Sequence, residues 1–245
     1  MKTEYLVGTS GWNYDHWKGR FYPEDLSKKG WFDFYAKEFT TVEVNYSFYR
    51  WPSEKTMTGW YERAPQDFKF TLKAPRTITH VKKVVNVEKW VKDFYKLTAL
   101  LKEKAGCHLF QLPPSLRCTD DNVELLKKFL RALDRGRDNA LEFRHKSWWD
   151  EKVYDLLREH AVAFCVVSGL GLPDDAIATA DVVYFRFHGE RYSTRYAEAA
   201  LDEYAQTMQK LACRKLYAYF NNDAEAYAVA NAKELRQALE NTAAR

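Results

Sequence analysis

VVYFRFHGE (residues 182–190) reads as a buried strand that ends in polar chemistry. Val182, Val183, Tyr184 and Phe185 favour extended backbone. Residues two apart on a strand share a face, so Arg186 and His188 carry the same parity as Val182 and Tyr184 and point inward with them. What kind of fold sets a guanidinium and an imidazole at the inward end of a core strand depends on how many such strands there are.

Seven more short runs of the same character occur: YLVGTS (5–10), TTVEVN (40–45), FKFTLK (68–73), CHLFQL (107–112), NALEF (139–143), AVAFCVV (161–167) and KLYAYF (215–220). Helical patterns lie between them. Val87, Val91, Phe94, Leu97 and Leu101 recur at three-to-four spacing within 87–104. A helix over 122–133 follows the capping-type Asp120 and Asp121, and one over 148–160 follows Ser147, with Asp150 three residues on. Further helices are predicted over 31–39, over 193–212 from capping hydroxyls, and over 223–241 from a cap at Asp223. Eight strands alternating with helices in 245 residues predict a closed (β/α)8 TIM barrel. A doubly wound open sheet is the competitor, but it normally needs fewer strands, and no GxGxxG follows the first one. No Gly/Ser-rich or Pro-rich linker divides the chain, so residues 1–245 are read as a single domain. The aromatic-rich segment 11–30 and the segment 74–86 are long connections, placed where barrels build sites above the C-terminal ends of their strands.

Composition narrows the class. The chain is 46% hydrophobic and 29% charged, enough for a substantial core and ordinary for a globular protein. The longest apolar run is far too short to cross a bilayer, and the N-terminus lacks the pattern of a signal peptide. A cytoplasmic location and no membrane partner are therefore expected. Four scattered cysteines without CxxC spacing read as plain thiols. The net charge of +4 is modest but uneven: residues 69–104 carry ten Lys or Arg against three acidic residues. That bias suits either a solvated helix face or a phosphate-bearing partner.

The strand ends carry Trp12, Glu43 with Asn45, Lys73, Gln111, Glu142 with Arg144, Arg186 with His188, and Asn221. A purely structural strand would continue with Val or Ile, and a buried ion network closing the barrel is costly unless fully paired. Polar ends on nearly every strand point to a ligand-binding mouth. Lys73, Arg144 and Arg186 suit an anion, and Asn45, Gln111 and Asn221 add neutral donors. Glu43, Glu142 and His188 are the candidate general acids and bases. Trp12 and Trp148, with Trp17, Tyr46, Tyr49 and Trp51, offer flat apolar surface to a base or sugar ring. No cofactor is expected. His80, His145, His188, Glu43, Glu142 and Asp223 include no HxH or HExxH spacing, and Arg144 and Arg186 stand beside the best ligands, so a divalent metal is the weaker alternative. Walker A and G-x-S-x-G sequences are absent.

GTSGWNYDHWKGRFYP (8–23), TTVEVNYSFYRWP (40–52), LFQLPP (109–114), LEFRHKSWW (141–149), FRFHG (185–189) and YAYFNND (217–223) closely resemble signature segments of the DUF72 family, also called YecE-like. Six blocks in the same order cover nearly the whole chain. The resemblance implies a TIM barrel and adds Arg50, His145, Gly189, Asn222 and Asp223 to the positions of interest. It implies no established reaction. A likeness of the family's barrel to metal-dependent endonucleases and sugar-phosphate isomerases suggests phosphodiester or nucleic-acid chemistry, by analogy of fold alone. The expected activity is hydrolysis or isomerisation of a phosphorylated or otherwise anionic sugar- or nucleotide-like substrate. A salt-sensitive nucleic-acid-binding module and a non-catalytic scaffold are the alternatives. Oligomeric state is left open.

Overall fold

Eight parallel strands form one sheet in the order β1-β8-β7-β6-β5-β4-β3-β2, in a computed structural model that describes residues 3–189 and 192–243. They are β1 (Glu4–Thr9), β2 (Thr41–Val44), β3 (Lys69–Lys73), β4 (Ala105–Gln111), β5 (Asn139–Glu142), β6 (Ala163–Gly169), β7 (Val182–Gly189) and β8 (Lys215–Phe220). All eight runs read from the sequence are strands; Glu190, which ends the opening stretch, lies outside the described residues. The sheet nearly closes into a barrel, its two outer strands β1 and β2 meeting at an isolated parallel bridge between Ser10 and Glu43.

Helices α1 (Trp31–Glu38), α2 (Tyr46–Tyr49), α3 (Glu54–Arg63), α4 (Glu88–Thr98), α5 (Asp120–Arg131), α6 (Glu151–Glu159), α7 (Glu198–Gln209) and α8 (Tyr227–Ala243) surround the strands. Two apolar layers follow from the period-two alternation of each strand. On β6, Phe164 and Val166 join the layer under the helices, while Cys165 and Val167 join Tyr184, Tyr217 and Tyr219 inside the sheet. The alternation of strand and helix breaks once: no α-helix separates β6 from β7. The chain between them is irregular and is tied down by Thr179, whose Oγ1 donates to Val162 O and accepts from Phe164 N, both at 2.7 Å.

Several helix starts differ from expectation. Asp150, not Ser147, caps α6 by accepting from Lys152 N at 3.0 Å, and Thr119 caps α5 rather than the aspartates after it. α7 begins at Glu198 after an uncapped Ala197, five residues beyond the hydroxyls expected to start it. Asp223 precedes a 3-10 turn without a side-chain cap, and α8 starts at Tyr227. The four cysteines are free thiols, two of them buried. Among the described residues no helix is long and apolar enough to cross a membrane.

Candidate functional site

Beneath the mouth of the sheet lies a fully buried charge network built on Arg186. Its Nε donates to Glu43 Oε2 at 2.9 Å and its Nη2 to Glu43 Oε1 at 2.7 Å, while Nη1 donates to Glu142 Oε2 at 2.7 Å. Tyr184 and Ser10 hydroxyls complete the Glu43 carboxylate at 2.5 and 2.6 Å. Glu43 thus accepts four bonds, the capacity of a carboxylate, which is what makes burial of such charges tolerable. Glu142 Oε1 takes Arg144 Nε. Burial alone would push both carboxyls up, but the guanidinium groups hold each below the usual range: Arg186 for Glu43, Arg144 and Arg186 for Glu142.

Above this floor opens a cavity of about 650 Å³. Asn45, Lys73, Gln111, Arg144 and Asn221 line it, as expected from the sequence, together with Asp223. Glu43, Glu142, Arg186 and His188 do not; they are 0% exposed at the side chain. His188 is held by Asn221, whose Nδ2 lies 3.2 Å from Nδ1. A donating amide there places the imidazole proton on Nε2, 3.7 Å from Glu142 Oε1 and without a hydrogen-bond partner among the described residues. Burial, reinforced by Arg186, pulls this imidazole down to about 4. Lys73 is pulled down to about 7, first by burial and then by Arg186, against the opposing pull of the two glutamates. Asp223 is shifted the other way, upward, by its own partial burial.

The sequence-selected aromatics divide. Trp12, Tyr46 and Tyr49 line a second, apolar pocket of about 470 Å³ that shares Tyr14, Asn45 and Tyr49 with the first. Trp148 is fully buried away from both, stacked on Phe143 at 4.7 Å and donating Nε1 to Leu116 O at 2.7 Å. Trp17 is likewise buried and donates to Asp223 O, and Trp51 packs on Trp90 and Phe94. His145 caps its own 3-10 turn through Ser147, and Asn222 bonds Thr194 O and Asn231. Sequence reasoning missed Tyr14, Phe48, Arg76 and Tyr192 on the cavity wall; all four lie beyond strand ends, where no periodicity marks a direction. Among the described residues, no three or more His, Cys, Asp or Glu side chains form a group that could hold a metal ion.

A nearly closed, helix-covered parallel sheet with a polar cavity over its strand ends defines the class. Within that class the chain belongs to the DUF72 family, described as a protein of unknown function, whose profile matches residues 6–245. The crystal structure of a DUF72 family protein (TM1631) from Thermotoga maritima is 32% identical, with a TM-score of 0.89 over 97% of this chain and 99% of that one. A DUF72 family protein (EF0366) from Enterococcus faecalis shares the fold at 20% identity, with a TM-score of 0.83 over 96% of this chain and 95% of that one. The UPF0759 protein YunF of Bacillus subtilis is 24% identical over 96% of this chain and 94% of its own length.

Proposed function

We propose that the protein binds a small anionic sugar- or nucleotide-like molecule in the cavity and acts on it by general acid/base chemistry, as a phosphoester hydrolase or an isomerase. The charge pattern of the cavity carries this reading. Glu43 and Glu142 are already answered by Arg186 and Arg144, whereas Lys73 and Arg76 face the cavity with Asp223 as the sole acidic side chain on its described wall. An anion there would meet surplus positive charge in a partly desolvated site. The scaffold is read as a closed (β/α)8 barrel spanning residues 1–245, with its chemistry at the strand C-termini.

The roles shift from those expected. Lys73 and Asp223, pushed in opposite directions by burial, are the titratable groups that face a ligand. Glu43 and Glu142 hold the cations from below, and His188 sits beside Glu142 as a buried neutral imidazole. Trp12 and the tyrosines of the apolar pocket would take a ring attached to the anion.

A nucleic-acid strand fits less well than a small molecule. In the basic stretch, Lys104 is consumed by Tyr61 O and Ala64 O, Lys69 by Glu103 O and Lys89 by Asp93.

Calorimetric titration with inorganic phosphate, sugar phosphates and nucleotides tests the proposal. Saturable binding, weakened at least tenfold in Lys73→Met, is expected. Absence of binding by every anion overturns it in favour of a scaffold. Binding only to oligonucleotides, falling steeply with salt, would favour the nucleic-acid reading.

A further inference from the structure

Two lysines of this chain are buried to nearly the same degree and treated in opposite ways. Lys104, 6% exposed, donates its Nζ to two carbonyls, Tyr61 O and Ala64 O, each at 2.7 Å. That is how a structural lysine is accommodated. Lys73 is 8% exposed, ends β3 at the cavity, and sets its Nζ 4.3 Å from the centre of the Phe48 ring. Among the described residues that Nζ has neither a hydrogen-bond acceptor nor a carboxylate partner. The nearby glutamates are occupied by Arg186 and Arg144. An amine that is buried without an acceptor and has two guanidinium groups near it is favoured in its neutral form, which is the nucleophilic one; the Phe48 face returns a small part of that bias to the ammonium.

We propose that Lys73 is an amine nucleophile that forms an imine with an aldehyde or ketone group of the ligand. The anionic part of that ligand rests on the function proposed above; the carbonyl part does not. The Nζ lone pair forms a bond to the carbonyl carbon, and the carbonyl π pair moves to oxygen, which receives a proton from nitrogen. A further proton from solvent lets that oxygen leave as water, giving the protonated imine. Oxidation states of the carbon and nitrogen are unchanged, so no redox partner is needed. Arg144 Nη1, held among the described residues by a single 3.4 Å bond to Tyr192, lies in the same cavity wall as a donor for the developing oxygen charge. With its basicity lowered to about 7, about half of Lys73 is free amine at neutral pH, against roughly one in three thousand for an ordinary lysine.

The test uses the unmodified full chain, glyoxylate as a probe carrying both carboxylate and aldehyde, and borohydride to trap the imine at neutral pH. Peptide mapping then compares carboxymethylation of Lys73 with that of the exposed Lys89. Lys73 is expected to react at least tenfold faster, and inorganic phosphate to slow it several-fold. If Lys73 reacts no faster than Lys89 while phosphate still binds by calorimetry, the imine inference falls and the anion-binding reading stands. If Lys73 reacts fast, but phosphate neither binds nor protects, the imine inference stands and the anion-binding reading falls.

Discussion

Arg186 grips Glu43 with two nitrogens, at 2.9 and 2.7 Å, across a sheet interior in which both side chains are fully buried. The two come from β7 and β2, and Glu43 is also bridged to Ser10, so the pair ties the seam between β1 and β2 to the opposite side of the sheet. Arg186→Met leaves two buried carboxylates short of three hydrogen bonds. Loss of about 3–5 kcal/mol is expected from urea unfolding. A loss below about 1 kcal/mol would mean that the network is not formed in solution.

Lys73→Met is expected to do the opposite. A folded-state basicity lowered from 10.5 to about 7 means that the folded chain resists the proton which the unfolded chain accepts. Stability on account of Lys73 is complete above about pH 10.5 and falls as pH drops toward 7. Removing the amine should therefore stabilise the protein at neutral pH by roughly 1–3 kcal/mol while weakening anion binding. Thermal melts with and without phosphate measure both; a destabilised variant would mark Lys73 as a structural residue.

These two residues also show what was legible beforehand. Parity on a strand is visible in a sequence: it points Arg186 inward and pairs Glu43 with Asn45 and Glu142 with Arg144 on one face each. Depth is not visible. One step of two residues is about 6.6 Å along a strand, and it separates buried Glu43 from cavity-lining Asn45, and Glu142 from Arg144. His188 breaks that regularity because Asn221 and the Tyr192 ring, 5.2 Å away, close over it. The strands stood out because both of their faces are apolar. α3 did not, since Met57 is its sole buried residue and leaves no stripe to read. Helix starts were misplaced where several capping-type residues stood in a row, as at Ser147 and Asp150. Only the local turn decides which hydroxyl or carboxylate reaches a free backbone N–H.

Two tryptophans selected for the same reason should now behave differently. Trp148→Phe leaves Leu116 O without its buried donor and should cost about 1–3 kcal/mol, with no change in phosphate affinity once folded. Trp12→Ala should leave phosphate affinity intact but weaken ligands that bear a ring, because Trp12 lines the apolar pocket and not the charged one. Equal effects of Trp12→Ala on phosphate and on a nucleotide would show that the two pockets do not act separately.

The seam has its own sensitive point at Gly8. A Cβ built there lies 2.4 Å from Thr41 O, a backbone atom of the neighbouring β2 that cannot rotate away. Gly8→Ala must push β1 and β2 apart, and a loss of about 2–4 kcal/mol is expected. Gly59, in α3, has nothing within 4 Å of the same built atom, so Gly59→Ala serves as the control and should be neutral or slightly stabilising. If both alanines behave alike, β1 and β2 are not in contact at this level.

Acid should unfold the protein in two stages. His188 and His108 are buried imidazoles, each lowered from 6.5 to about 4 chiefly by burial. Below about pH 6.5 the unfolded chain takes up protons that the folded chain refuses, so stability falls as pH drops from 6.5 toward 4, by up to roughly 3 kcal/mol per histidine. Glu43 and Glu142 are lowered below 4.5, and their contribution is complete above that value and is lost as pH falls through their folded-state values. Asp223, raised by burial, works in the other direction and offsets a small part. His188→Gln should remove part of the first stage and leave the second, as read from urea unfolding at a series of pH values between 7 and 3. A wild-type profile that is flat from pH 7 to 5 would show that these imidazoles reach water, and with it that the floor of the cavity is open.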